Sequence, residues 1–291
     1  MFLSRINLYI TLFLTISTFA QQDYEYLGVI KLSDSAFISY RIAFDENDGN
    51  ISGYSLTDIG GPHETKSYIT GYFDQQADQL DFYESSILYT KSPITQNDFC
   101  FVHFSGKLKK LNERQRIQGQ FKGLFSDGEQ CIDGEIDLMN LSRILKRAEK
   151  IDRKIDRAKV IPKEKREKVN LVKDLDSLAT NVIRKDERIN VFAKCTTVKL
   201  SFYDAGRPDG DKISVYVNGR PVLQNKLVEV KEQTLEIPLA TEQTLVRITA
   251  ESTGTEGANT VKLDLNCNGE LIETVTNLQA GEQAEINFIR S

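Results

Sequence analysis

Eight short runs in which apolar and polar residues alternate follow one another between residues 21 and 140 of this 291-residue chain. Turn residues such as Asp48-Gly49 and Asp127-Gly128 separate them, a pattern typical of antiparallel strands joined by hairpins. Eight consecutive strands leave two unpaired edges unless the sheet closes on itself. We therefore expect a mainly β protein whose N-terminal part is an antiparallel β-barrel or a strongly curved meander, with a sandwich as the competing arrangement. The runs read YEYLGVIKL, AFISYRIAF, GNISGYSLT, KSYITGYFD, QLDFYESSILY, DFCFVHFSGKL, RIQGQFKGLF and CIDGEIDL.

Glycines inside these runs favour sharp curvature, because a strand bends most easily where it has no side chain. They are Gly53, Gly71, Gly106, Gly119 and Gly123. A barrel of this size either is filled by its own side chains or holds one small apolar ligand, as lipocalins do. The chain has no Trp, so the Gly-x-Trp mark of lipocalins is missing. We expect a filled core and keep the lipocalin-like carrier as the alternative.

Residues 1–20, MFLSRINLYITLFLTISTFA, have the form of a secretory signal peptide. One positive charge at Arg5 precedes an apolar stretch diluted by Thr and Ser, and small residues lead to a predicted cleavage after Ala20. A membrane anchor would need about 20 strongly apolar residues in a row. The sequence predicts export to the periplasm or the extracellular space, with no transmembrane segment in the mature chain.

The four cysteines are divided evenly between the two halves of the chain, with Cys100 and Cys131 in the first half and Cys195 and Cys267 in the second. An oxidising compartment would pair each couple within its own half of the chain. Free buried thiols are the alternative that spacing leaves open. Zinc is disfavoured, because the chain has no C-x-x-C and only two histidines.

Charge divides the chain into three segments. Residues 21–140 have 10 Lys or Arg against 19 Asp or Glu, a net charge of −9. Residues 141–190 have 16 against 9, a net charge of +7, and residues 191–291 have 10 against 14, a net charge of −4. We interpret these as the barrel or meander domain, a basic helical linker and a β-sandwich module.

The basic segment shows helical periodicity. Apolar residues recur at three- and four-residue steps from Leu141 to Ala158, and a second such pattern runs from Val169 to Val182 after a break at Pro162. Two helices would either fold back as a hairpin or extend as a spacer. The segment lacks the aromatic residues that stack on bases, so no nucleic acid is expected. Its Lys and Arg are read as a solvated face docked on the acidic barrel, with envelope polysaccharide or a membrane surface as the alternative.

Alternation resumes from Val191, and Asn218-Gly219 and Asn268-Gly269 indicate two-residue hairpins. About seven strands in 100 residues predict a small β-sandwich. In that arrangement Cys195, on the first strand, and Cys267, on a late one, would bridge across the core.

The run LSFYDAGRPDGDKISVYVNGRPVLQN resembles a small all-β module that recurs at the C-terminus of exported proteins of Gram-negative bacteria, some of which also have OmpA-like envelope domains. The resemblance covers about residues 195–291, including the closing EINF strand. It implies an exported envelope protein and an all-β architecture, and no activity. The motif residues are Asp204, Gly206, Asp209, Gly210, Asp211 and Asn218-Gly219.

Three of those motif residues, Asp204, Asp209 and Asp211, place three carboxylates within eight positions. Calcium takes six to eight oxygen ligands, and glycine-containing acidic loops provide them in many extracellular modules. The alternative is structural, because Asp accepts hydrogen bonds from backbone N–H groups two residues on and so stabilises a tight turn without metal. Calcium is the one cofactor that the sequence suggests.

The sequence shows no catalytic constellation. His63 lies in a turn and His103 within a strand, facing away from Cys100, Val102 and Phe104. A pair of carboxylates that includes Glu84 would suit glycoside cleavage, but acids are too plentiful for this to discriminate. We therefore expect a non-catalytic binding or structural protein of the bacterial cell envelope, with an envelope component, a glycan or a small apolar ligand as partner. The carrier and a polysaccharide-acting hydrolase are the alternatives.

Overall fold

The computed structural model describes residues 23–32, 35–112, 116–158, 162–167, 169–177, 180–204, 209–255 and 257–290. The predicted signal peptide lies outside the described residues. So do Gly206 and Arg207 of the acidic turn.

Eight strands form a closed antiparallel barrel, as the alternating runs predict. Each strand pairs with its neighbour in sequence, and β1 pairs with β8, so that the sheet has no free edge there. The strands are β1 (Asp23–Lys31), β2 (Phe37–Asn47), β3 (Asn50–Thr57), β4 (Thr65–Asp74), β5 (Gln79–Thr90), β6 (Phe101–Lys107), β7 (Arg116–Leu124) and β8 (Gln130–Asn140).

Glycines permit the tight curvature of the barrel wall. A Cβ atom on Gly53 would lie 2.1 Å from the carbonyl oxygen of Ala43, and one on Gly71 would lie 2.1 Å from that of Asp81. Neighbouring backbone occupies the space in which a side chain would stand, so both positions require glycine.

The barrel interior is filled by side chains. Inward-facing residues of all eight strands form one cluster of buried apolar side chains rich in aromatic rings. Phe82 and Phe104, on adjacent strands, stack with their ring centroids 5.1 Å apart. The aromatic members are Tyr24, Tyr26, Tyr40, Phe44, Phe73, Phe82, Phe104 and Phe121.

Three helices follow the barrel: α1 (Leu141–Arg157), α2 (Lys163–Glu167) and α3 (Leu171–Ser177). The side chain of Asp152 in α1 accepts hydrogen bonds from the N–H groups of Leu171 and Val172, at 3.1 and 3.2 Å. This capping of α3 holds the helices as a hairpin rather than a spacer. Helix α1 also packs against β1 and β8. No helix in the described ranges is long and apolar enough to cross a membrane.

The predicted helix through Val182, and with it the linker boundary at residue 190, is wrong at its C-terminal end. Residues Asn181–Arg184 form strand β9, and Arg188–Ala193 form β10. Ile183 is fully buried, and β9 pairs in parallel with β17. The β-branched residues Val182 and Ile183 suit a pleated sheet surface, and tertiary pairing there overrides a helical periodicity.

The C-terminal module is a sandwich of two five-stranded sheets, with ten strands where the sequence suggested about seven. One sheet has the order β13-β12-β15-β18-β10 and the other β14-β11-β16-β17-β9. Strand β10 also pairs with the end of β5, which makes the first sheet continuous with the barrel wall. The remaining strands are β11 (Thr197–Asp204), β12 (Asp211–Val217), β13 (Arg220–Leu227), β14 (Gln233–Pro238), β15 (Gln243–Thr253), β16 (Val261–Cys267), β17 (Glu270–Asn277) and β18 (Gln283–Arg290).

Both predicted hairpin turns are present. Asn218 and Gly219 have φ values of 49° and 78°, and Asn268 and Gly269 have 55° and 91°. Positive φ at both central residues is what a two-residue turn needs to match the twist of its strands.

Both predicted disulfides form. Cys100–Cys131 joins the start of β6 to the start of β8, passing over Gly123 of β7, where a Cβ would lie 2.5 Å from the sulfur of Cys100. Cys195–Cys267 joins the segment before β11 to the end of β16. Cys195 lies in the segment between β10 and β11, and β11 pairs with β16, so this bond ties the connection between the two sheets to the end of a neighbouring strand and does not bridge two strands across the core, contrary to the prediction.

Candidate functional site: a trough across the barrel wall

A trough of about 1320 Å³ runs over the outer surface of the barrel, across the six strands from β4 to β1. The side chains along it are mostly exposed, and Tyr72 and Tyr83 are 49% and 45% exposed. Neighbouring strands are about 4.8 Å apart, so six strands give a length of about 24 Å. The site therefore suits an elongated ligand.

The floor of the trough is a row of three Phe residues whose rings point into the barrel, with a glycine at each end. Gly71 pairs with Phe82, Phe82 with Phe104, Phe104 with Phe121 and Phe121 with Gly134. Because the Phe rings lie inside the barrel, only their backbone faces the trough. The buried aromatic row thus supports the floor from beneath.

Gly134, at the β8 end of this row, is a position that has no room for a side chain. A Cβ atom there would lie 2.5 Å from the carbonyl oxygen of Lys31 and 2.7 Å from the ring of Phe121. Neighbouring backbone and the ring occupy the space of a side chain, so glycine lets β8 pair closely with β1 and β7 at the end of the row.

Two rows of outward side chains form the walls. They stand two residues apart on each strand, which places their Cα atoms about 7 Å from each other. One wall contains Tyr72, Asp81, Ser105, Gln120, Glu135 and Lys31, and the other contains Thr70, Tyr83, His103, Lys122 and Asp133.

The second wall is continuous in register. Thr70 pairs with Tyr83, Tyr83 with His103, His103 with Lys122 and Lys122 with Asp133. The rings of Tyr83 and His103 stack, with centroids 5.5 Å apart and planes 10° from parallel. The two rings form an aromatic platform at the middle of the trough.

Partial burial lowers the pKa of His103 below the usual histidine value of 6.5. Its imidazole is therefore neutral at pH 7, which suits a ring that packs face to face with Tyr83. His103 faces outward, with Val102 and Phe104 pointing into the core, as the alternation predicted.

The first wall presents hydrogen-bonding groups. The amide nitrogen of Gln79 donates to Asp81 Oδ1 at 2.9 Å and to Ser105 Oγ at 2.8 Å, which fixes both acceptors. Gln120 and Glu135 pair across β7 and β8 and are both exposed. The wall thus offers amide, hydroxyl and carboxylate groups in one line.

Glu84, the carboxylate considered for glycoside cleavage, lies inside the barrel and not on the trough. Its Oε1 accepts from the hydroxyls of Tyr40 (3.1 Å) and Ser55 (2.6 Å), and its Oε2 accepts from the N–H of Val102 at 2.8 Å. Burial raises the pKa of this carboxyl above its ordinary value. The network ties β2, β3, β5 and β6 together.

The structure shows a turn-stabilising role at the acidic turn. Asp209 Oδ1 accepts from the N–H of Asp211 at 3.3 Å, and Asp211 Oδ2 accepts from the N–H of Thr260 at 3.0 Å. Asp211 is 2% exposed, and burial, with Asp209 and Asp204 nearby, raises the pKa of its carboxyl. Within the described ranges, no three His, Cys, Asp or Glu side chains are grouped to hold a metal ion. Calcium at Asp204, Asp209 and Asp211 stays a prediction.

His63 lies away from the trough. Its ring Nδ1 is 3.0 Å from Ser92 Oγ, and its backbone N–H donates to Asp58 Oδ2 at 2.9 Å. The residue is therefore part of the turn before β4.

Sequence reasoning missed the trough residues Tyr72, Tyr83 and Gln120. A signal was present for the two tyrosines, since each occupies an outward position of an alternating run, where an aromatic ring does not pack in the core. What the pattern lacks is the register between strands, which decides that these positions align.

No protein-family model matches this chain, and no curated protein or solved structure matches it either.

Proposed function

We propose that this protein is an exported, non-catalytic binding protein of the bacterial cell envelope, and that it binds a linear glycan in the trough. The observation that supports this most is the continuous wall from Thr70 to Asp133, with the stacked Tyr83 and His103 at its middle.

The chemistry of the trough matches that of a sugar chain. A pyranose has an apolar face of C–H groups that packs on an aromatic ring, and hydroxyls at its edge that need donors and acceptors. Tyr83 provides the ring, while Gln120, Ser105 and Asp81 lie on the opposite wall. The ligand is a single extended chain, because the floor is long and narrow.

The packed interior favours this proposal over the carrier. The apolar side chains of all eight strands meet inside the barrel, so an apolar ligand would have to displace them. Against a hydrolase that uses Glu84, the carboxylate is enclosed by Tyr40, Ser55 and Val102 and does not face the groove.

Export is the part of the proposal that rests on the sequence. The two disulfides fit an oxidising compartment, and the signal-like residues 1–20 and the resemblance of residues 195–291 to an envelope module point the same way.

The test is binding to an array of linear bacterial envelope glycans, with the full mature chain and with Tyr83→Ala. We expect at least one glycan to bind saturably and the variant to bind it about tenfold more weakly, equivalent to about 1.4 kcal/mol. The matched control is Phe37→Ala, since Phe37 is 57% exposed on the barrel but does not line the trough. Equal loss in both variants, or no binding by the wild type, would refute the proposal.

A further inference from the structure

A second cleft, of about 240 Å³, lies between the barrel and the sandwich. Residues from β1 to β5 form one side of it, and Asn181 of β9 with residues of β17 forms the other. Ligand sites occur preferentially at domain interfaces of this kind. The cleft is separate from the trough, which lies on β4 to β8 and the end of β1.

Asn181 is the first unusual feature of the cleft. The residue is 4% exposed, yet neither Nδ2 nor Oδ1 of its side chain has a hydrogen-bond partner. Its backbone is engaged, because Thr274 Oγ1 donates to its carbonyl at 3.0 Å. Leaving both ends of a buried amide unpaired is costly, so a ligand that pairs with them would be stabilised there.

Lys66 is the second unusual feature of the cleft. It projects outward from β4 with its Nζ 4.4 Å from the centroid of the Tyr54 ring. Among the described residues, this Nζ has no carboxylate within 4.0 Å. Burial lowers the pKa of the ammonium group by more than the nearby carboxylates of Glu270 and Glu273 raise it.

The other charges of the cleft are already paired. Arg41 Nη2 forms an ion pair with Glu25 Oε1, and Glu273 Oε1 with Lys262 Nζ at 2.5 Å. Nearby Glu270 accepts a hydrogen bond from the hydroxyl of Tyr68. Lys66 is thus the one lining charge, in the described part of the cleft, that lacks a direct opposite partner.

Apolar groups line the rest of the cleft. They come from Ala43 and Leu56 on the barrel side and from Leu271 and Ile272 on the sandwich side. Leu56 lies in register between Arg41 and Lys66, so that the apolar and the charged parts of the cleft adjoin.

We propose that this interdomain cleft binds a small organic carboxylate with an apolar body, held by Lys66 Nζ and Asn181 Nδ2. The carboxylate accepts from both donors, and its apolar part packs between Ala43 and Leu271. Because one side of the cleft belongs to each domain, the ligand stabilises their contact.

The test uses benzoate as the probe, with benzyl alcohol as a neutral analogue of the same shape, and calorimetry on the full mature chain. We expect saturable millimolar binding of benzoate and at least tenfold weaker binding of the alcohol. Lys66→Met should weaken benzoate binding at least tenfold, while Lys150→Met, which removes an exposed lysine on α1, should leave it unchanged. Equal binding of the two probes, equal binding by Lys66→Met and wild type, or no binding at about 20 mM benzoate overturns the proposal.

A second measurement needs no variant. Benzoate should shift the side-chain NH₂ resonances of Asn181 in the wild-type protein with the same concentration dependence as the calorimetric signal. Shifts confined to the trough, or none at Asn181, contradict the cleft as the site.

Discussion

The barrel and the sandwich are both built mainly of antiparallel strands, but they pair these strands differently. In the barrel every strand pairs with its neighbour in sequence, and only the β1–β8 pair joins distant segments. In the sandwich only β12–β13 and β16–β17 join consecutive strands. The barrel is a product of hairpins, whereas the sandwich depends on long-range pairs such as β10 with β18.

Their cores differ as well. The barrel encloses a row of aromatic rings and a buried carboxylate, while the sandwich core is mostly Val, Ile and Leu. The trough lies on the outer side of this aromatic row, so the inner side of the barrel wall forms the core and the outer side is the glycan site that we propose.

The largest expected effect comes from the disulfides, one in each region. Cys100–Cys131 spans 31 residues and Cys195–Cys267 spans 72. Replacing each pair by Ala should lower the free energy of unfolding by about 3.7 and about 4.4 kcal/mol, since the longer loop restricts the unfolded chain more. Urea unfolding of both variants checks this, and a smaller loss for the 72-residue loop would contradict the order.

Glu84→Leu should destabilise the barrel by about 3 kcal/mol, because Tyr40, Ser55 and the N–H of Val102 lose their acceptor in the interior. Urea unfolding measures the change. Glu84→Gln, which keeps the shape and one acceptor oxygen, is the control and should lose less. Equal loss in the two variants would show that the hydrogen bonds contribute little.

The same carboxyl predicts a pH dependence. Since its pKa in the folded protein is raised above the ordinary 4.5, the folded state binds more protons than the unfolded state in the interval between the two values. The stability that protonated Glu84 contributes is therefore fully present below pH 4.5 and lost as the pH rises through the raised pKa. Because a glutamine at this position does not titrate, wild type should gain stability relative to Glu84→Gln as the pH falls, and a difference in melting temperature that stays constant with pH would contradict the raised pKa.

The smallest effect is expected at the acidic turn. Because Asp209 and Asp211 already accept backbone N–H groups, we expect millimolar calcium to change the melting temperature by less than ~1 °C relative to chelator. A site of useful affinity at Asp204, Asp209 and Asp211 would instead raise it by several degrees.

The sequence predicts the elements whose structure depends on neighbouring residues in the chain. The eight barrel strands, the α1 helix and the two Asn-Gly turns follow from alternation, periodicity and turn chemistry within short windows. Strands β9 and β10 were missed because their stability comes from parallel pairing with strands about 90 residues away. No local pattern reports such a partner.

The candidate sites depend on register for the same reason. Tyr83 and His103 are 20 positions apart, and only the pairing of β5 with β6 stacks them. The sequence places Asn181 in the basic linker, and the burial of its unpaired side-chain amide follows only from the pairing of β9 with β17. The sequence shows which polar and aromatic residues a strand contains. Which of them lie side by side depends on the register between strands in the folded sheet.

The most direct test of the central claim is an amide chemical-shift titration of the mature chain with the tightest-binding linear oligosaccharide from the glycan array. We expect shifts along the floor and walls of the trough, across five adjacent strands, at residues 70–72, 81–83, 103–105, 120–122 and 133–135. Shifts that fall instead in the sandwich or the helices, or a spectrum that does not change, would contradict it.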